Sequence, residues 1–144
     1  MTHENTGNYS AKHLPDKKLD SKIAEDVKLH ALEGRISCNS GHKIAGKLKV
    51  PPTEVGIAID LLEMRINKCQ LGLFGYFPEN KIVKPAGEVS PELEKAILKR
   101  LTKGRLHCSA AWEIAKIFNI PKMELSSACE ALQIKVSACQ LGAF

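Results

Sequence analysis

Aromatic side chains are scarce in this chain of 144 residues, at 5% of the sequence. Surfaces that stack rings on exposed bases are therefore thinly supplied. No apolar run approaches the roughly 20 residues that a membrane helix needs. Met1 to Asp20 holds no apolar core of a signal peptide. Both observations predict a cytoplasmic protein that does not engage a membrane. There are five cysteines, an odd number without the dense spacing of a disulfide scaffold, so they read as free thiols or metal ligands. The chain carries no glycine-rich phosphate loop. Cys38 and Cys108 are nucleophile candidates, but no histidine stands at matching positions beside both, and no acid/base constellation recurs. An enzyme is not expected. The length allows one ordinary domain or two very small ones. A net charge of +5 permits an acidic partner such as nucleic acid without requiring one.

What the sequence does have is an internal repeat. Shifted by 70 positions, Gly34–Phe74 lies on Gly104–Phe144 without a gap, with 14 identities over 41 positions. The identities include Gly34/Gly104, Arg35/Arg105, Cys38/Cys108, Ala45/Ala115, Pro51/Pro121 and Ala58/Ala128. The densest block is Cys69-Gln70-Leu71-Gly72-Leu73-Phe74 against Cys139-Gln140-Leu141-Gly142-Ala143-Phe144. Two copies of one unit are present, too few and too long for a solenoid. A unit of about 50 residues sits near the lower limit for an independent core. The copies are therefore expected to pack together or to form a homodimer. The organisation read from the sequence is a flexible tail over 1–17, one repeat over 18–75, a linker or wing strand over 76–89, and a second repeat over 90–144.

In the second copy, Ser90-Pro91-Glu92 opens a helix with an N-cap, a first-turn proline and a favourably placed carboxylate. Leu93, Ile97, Leu98 and Leu101 continue it at helical spacing, and Gly104 stops it. A short extended piece, Arg105–Cys108, leads to a helix capped by Ser109 and running over 110–118. Asn119 and Pro121 make a turn, and a third helix runs to about Gln133. Residues 134–139 alternate as a strand. The first copy repeats the order: a helix over about 20–33, a second to Leu48, a third over 52–64, and a strand over 65–69. Lys81–Lys84 is a further candidate strand.

The second and third helices of each copy resemble the helix-turn-helix family. Ala45, Val50, Val55 and Ala58 in the first copy, and Ala115, Ile120, Leu125 and Ala128 in the second, supply the small and apolar positions that a close helix crossing needs. The turn position often held by glycine is Lys49 in one copy and Asn119 in the other. With a strand on either side of the helix pair, each unit resembles a winged helix. The fold class implied is mainly α with short β strands, in two tandem winged-helix-like units. Lys81–Lys84 would be the second wing strand of the first copy.

The resemblance implies a DNA-binding protein, such as a transcriptional regulator, that inserts the third helix of a unit into the major groove of double-stranded DNA. Lys122, Ser126 and Ser127 would lie nearest the bases. Lys99, Arg100, Lys103 and Arg105, with Lys43 and Lys47, would hold phosphates. The outward residues of the first copy, Pro52, Thr53, Gly56, Ile57 and Asp60, include no good base reader, and Glu130 repeats the acidic problem in the second. An alternative is therefore a winged-helix module that binds a protein partner, using Ile57 and Gly56 as an apolar patch. A further alternative is a thiol-based metal or redox sensor. Strands that flank the helix pair would bring Cys38 toward Cys69 and Cys108 toward Cys139, where zinc or iron could bind with His42 or His107 as extra ligands. Packing as small hydrophobes is the competing reading of those thiols.

Overall fold

Short polar side chains set the start of three helices. The computed structural model describes residues 9–13 and 17–144. In it, Asp20 accepts hydrogen bonds from the amides of Lys22 (2.9 Å) and Ile23 (3.1 Å). Ser37 accepts from Ser40 (3.0 Å) and Ser90 from Leu93 (3.2 Å). Each satisfies amides that a first helical turn leaves without an intrahelical partner. The helices they open are α1 (Ser21–His30), α2 (Cys38–Leu48) and α4 (Pro91–Lys99). With α3 (Pro52–Leu61), α5 (Cys108–Ile117) and α6 (Lys122–Ala131) they make a mainly helical fold. Ser109, expected to cap α5, lies inside it, and His107 occupies the cap position without a side-chain bond.

The first helix of each repeat ends before the glycine expected to stop it. Gly34 and Gly104 instead complete a two-residue turn with the preceding residue. Glu33 and Gly34 have φ of 53° and 76°, and Lys103 and Gly104 have 51° and 79°. Positive φ at both central positions suits a tight reversal. Leu32 and Arg35 exchange backbone bonds across one turn, as Thr102 and Arg105 do across the other.

Arg35 and Leu106 begin the strands. In the first repeat β1 (Arg35–Ser37) pairs in parallel with β2 (Arg65–Asn67), with Ile36 opposite Ile66. In the second, β3 (Leu106–His107) pairs in parallel with β4 (Val136–Ser137). A parallel pair needs a long crossover, and the α2–α3 or α5–α6 pair supplies it. The flanking strands are thus neighbours, as expected, but the wing hairpin is not formed. Lys81–Lys84 is not a strand. The amides of Ile82 and Val83 both donate to the Gly72 carbonyl instead.

The helix-to-helix turns follow the sequence closely. Lys49 and Asn119 both adopt left-handed φ, 57° and 53°. The next amides, Val50 and Ile120, each donate at 3.0 Å to Ala45 and Ala115. This closes the carbonyls that a helix end leaves open. Glu63 and Gln133 repeat the device after α3 and α6. Ala45, Val55 and Ala58 are buried at the first crossing, and Ala115, Leu125 and Ala128 at the second.

The compact units do not coincide with the repeats. One holds the chain to Cys69 together with Gln140–Phe144, and the other holds Gln70–Cys139. The division therefore falls at the Cys-Gln-Leu-Gly-x-Phe blocks, and not at 75/76 and 89/90. Part of the expected tail is packed: Tyr9–Lys12 forms a 3₁₀ turn against α3, with Tyr9 buried. The rest of that tail through residue 16, that is 1–8 and 14–16, lies outside the described residues.

Left-handed backbone is costly for a side chain with a Cβ, by about 1 kcal/mol. Lys49→Gly is therefore expected to raise stability by about 0.5–1 kcal/mol, after the added freedom of the unfolded chain is discounted. Asn119→Gly should give less, since asparagine already tolerates this region. Urea denaturation of the two variants checks the order, and an unchanged or lower midpoint for Lys49→Gly would contradict it.

Candidate functional site

The residues expected to face DNA lie on the outer faces of α3 and α6. On α3, Gly56 is buried. A Cβ built there would overlap the carbonyl oxygen of Leu141 and stand 2.7 Å from its carbonyl carbon. The side chain of the same leucine lies on α2, 2.9 Å from where a Cβ of Gly41 would be. Two glycines on adjacent helices thus make a slot for one leucine, with its main chain pressed on α3. The Ile57–Gly56 apolar patch is accordingly not exposed: Gly56 is under Leu141 and Ile57 is half-buried.

One turn along α3, Asp60 is only 4% exposed. Its carboxylate meets Lys12 Nζ at 3.0 Å and His13 Nε2 at 2.8 Å. A buried carboxylate is tolerable only when paired in this way. Lys12 also donates to the Gly142 carbonyl at 2.9 Å, so one ammonium ties α3 to the Leu141 segment. Glu63, just past the helix, accepts from the amides of Tyr9 (2.8 Å) and Ser10 (3.0 Å) and from Ser10 Oγ (2.9 Å). These bonds, chiefly that from the Ser10 amide, hold the Glu63 carboxyl below its ordinary value of 4.5. Sequence reasoning missed Lys12, His13 and Glu63, and no local pattern marks them. Leu141 did carry a signal, because it sits in the densest block of repeat identity.

The α6 face is covered by a different stretch of chain. Ser126, expected beside the bases, is 0% exposed, and its hydroxyl has no hydrogen-bond partner among the described residues. Ser127 is half-buried, and its carbonyl accepts from the Ala86 amide at 3.0 Å. Glu130 holds Lys81 Nζ at 2.5 Å. Met123 packs on Gly72, where an added Cβ would stand 3.3 Å from it. Lys122 is half-buried, with its ammonium 4.5 Å from the centre of the Trp112 ring, a favourable cation–π distance. Ser126 is therefore not placed for base contact.

No protein-family model, curated protein or solved structure matches the chain. Lys99, Arg100, Lys103 and Arg105, expected as phosphate contacts, are all exposed around the end of α4 and the turn after it. Arg100 Nη2 also meets Glu113 at 2.7 Å. In the first repeat Lys43 is exposed, and Lys47 is exposed with Asp26 3.3 Å away. Exposed pairs of this kind contribute at most about 1 kcal/mol and leave the cation available to a partner.

None of the five cysteines is in a disulfide; Cys38, Cys69, Cys108 and Cys129 are buried and Cys139 is half-buried. Among the described residues, no three His, Cys, Asp or Glu side chains come together as a metal site. The proposed Cys38/Cys69 and Cys108/Cys139 pairs are therefore not joined by His42 or His107 into a ligand set. Burial pushes the Cys129 thiol up to about 11, with the charge of Glu130 adding to the effect. A thiol held protonated is a poor nucleophile.

Two measurements follow from these environments. The Glu63 bonds are complete above about pH 4.5, the ordinary value, and are lost as pH falls through the lower value of the folded state. Amide shifts of Tyr9 and Ser10 in an NMR titration should therefore move together only on acidification below that point. In Glu63→Ala they should take their released positions at neutral pH, and native positions there would refute the assignment. For the thiols, iodoacetamide at pH 8 should label Cys139 and spare Cys129 in the native protein. Equal labelling of both would refute the burial argument.

Proposed function

We propose that the protein is a non-catalytic binding module of two winged-helix-like units, whose partner is another protein and not the base edges of DNA. The observation that carries this reading is the covering of both second-helix faces by the chain itself. A base-reading helix needs arginine, lysine, asparagine or glutamine free to enter the major groove. The α3 face instead carries Leu141, Lys12 and His13, and the α6 face carries Gly72, Lys81 and the Ala86 amide.

What remains open to a partner lies elsewhere. Leu98 on α4 is 51% exposed and Ile117 on α5 is 74% exposed. Ile117 stands one turn beyond Glu113, the partner of Arg100. Exposed apolar side chains on α4 and α5, with Lys99 at the end of α4 and Arg100 just past it, suit an amphipathic, acidic protein segment. In the first repeat Leu29 and Leu32 are likewise exposed, at the end of α1 and in the turn that follows.

The basic group favours one second reading. Lys99, Arg100, Lys103 and Arg105 could hold phosphates of double-stranded DNA without reading sequence. Anisotropy titration of random duplex DNA at low and moderate salt separates the two. The protein-partner reading expects no saturable binding at either salt. It also expects a photo-crosslinking residue at position 117 to trap a protein, and to lose it when Leu98→Asp is added. DNA binding that falls steeply with salt would transfer the function to nucleic acid. In that case Arg100→Glu with Arg105→Glu should lower the salt slope by about 2, roughly 1 for each lost phosphate contact.

A further inference from the structure

The repeat's most similar block does not stay with its own repeat. Gln70–Phe74 ends the first repeat but belongs to the compact unit of the second, and Gln140–Phe144 ends the second but belongs to the unit of the first. Leaving home is therefore a property of the block and occurs twice. We propose that the same exchange is made between molecules: the α2–α3 slot accepts the Leu141–Phe144 segment of a second copy of this chain, giving a segment-swapped dimer. This inference is independent of the protein partner proposed above.

Three features of the first unit support it. The slot is cut for this segment, since Gly56 has no room for a Cβ against the Leu141 main chain, and a Cβ at Gly41 would require the Leu141 side chain to shift. A polar lock accompanies the apolar fit, because Lys12 reaches the Gly142 carbonyl while holding Asp60. Left-handed backbone precedes each block: Lys68 and Ala138, one residue before the repeated cysteines, have φ of 48° and 53°. Contacts made by the segment within one chain and between two chains are the same contacts. Only the effective concentration differs, about millimolar for a short tether. The swapped form is therefore expected to grow with protein concentration, and reciprocal exchange closes it at two chains.

The test uses two variants of the full chain. Leu141→Asp spoils the segment and leaves the slot, whereas Gly56→Val fills the slot and leaves the segment. At several hundred micromolar, each alone should sediment as a monomer. Their equimolar mixture should contain a 1:1 complex, because the intact segment of one meets the intact slot of the other. A labelled peptide Cys-Gln-Leu-Gly-Ala-Phe should bind Leu141→Asp and not Gly56→Val. If the mixture stays monomeric and the peptide binds neither variant, the proposal fails. Should Leu141→Asp not fold, the unmodified protein decides. A dimer fraction that rises with concentration toward the millimolar range supports exchange, and a monomer throughout overturns it.

Discussion

The meeting of the Gly56 backbone with the Leu141 carbonyl is the contact on which the first unit turns. Main chain packs against main chain there, and any side chain on α3 at that point would push the segment away. With Leu141 seated, its side chain reaches Gly41 on α2, and the following carbonyl, Gly142, comes within reach of Lys12. Lys12 in turn pairs with the buried Asp60 carboxylate at 3.0 Å. His13 and the Glu63 bonds to Tyr9 and Ser10 then hold the N-terminal stretch on the same helix. One close approach thus organises an apolar slot, a buried charge and two chain segments.

The second unit reaches a similar cover by other means. Ser126 stands where Gly56 does in the repeat, and its buried hydroxyl has no hydrogen-bond partner among the described residues. Leaving such a group unsatisfied costs about 1–3 kcal/mol, so other contacts must outweigh it. Met123 against Gly72, Lys81 on Glu130 and the Ala86 amide on Ser127 are of that kind. Asp60 and Glu130 occupy equivalent positions, and each attracts a lysine from a segment laid across the helix. The acidic residue that counts against phosphate contact on these helices is, in both units, the anchor of the cover.

These covers shape the functional reading. The helix-turn-helix likeness rests on residues inside the crossing, of which Ala45, Val55, Ala58, Ala115, Leu125 and Ala128 are buried. The outer face that would make the likeness into a DNA reader is occupied. Charge and apolar surface are instead available around α4 and α5, where Lys99, Arg100, Leu98 and Ile117 are exposed. Surface cations there respond to salt over a distance of about 10 Å, whereas a docked apolar side chain does not, and the two classes of partner differ in that respect.

Much of the local structure was determined by the sequence alone. The repeat is visible at a glance, and with it the helix order. Ser90 as a cap, the helix turns at Lys49 and Asn119, and the buried Ala45/Ala58 and Ala115/Ala128 crossings follow from interactions within a few residues. Signals of that range are written in consecutive letters. The strands were harder: two or three residues each, they are fixed by a parallel partner about thirty residues away, and Lys81–Lys84 looked as strand-like as they did. Only the tertiary structure decided which segments cover α3 and α6, that Ser126 is inside, and that Asp60 is an anchor and not a surface charge. Those outcomes depend on contacts such as Ala86 with Ser127, His13 with Asp60 and Lys12 with Gly142, between residues far apart in the sequence, and no local propensity encodes a partner at that distance.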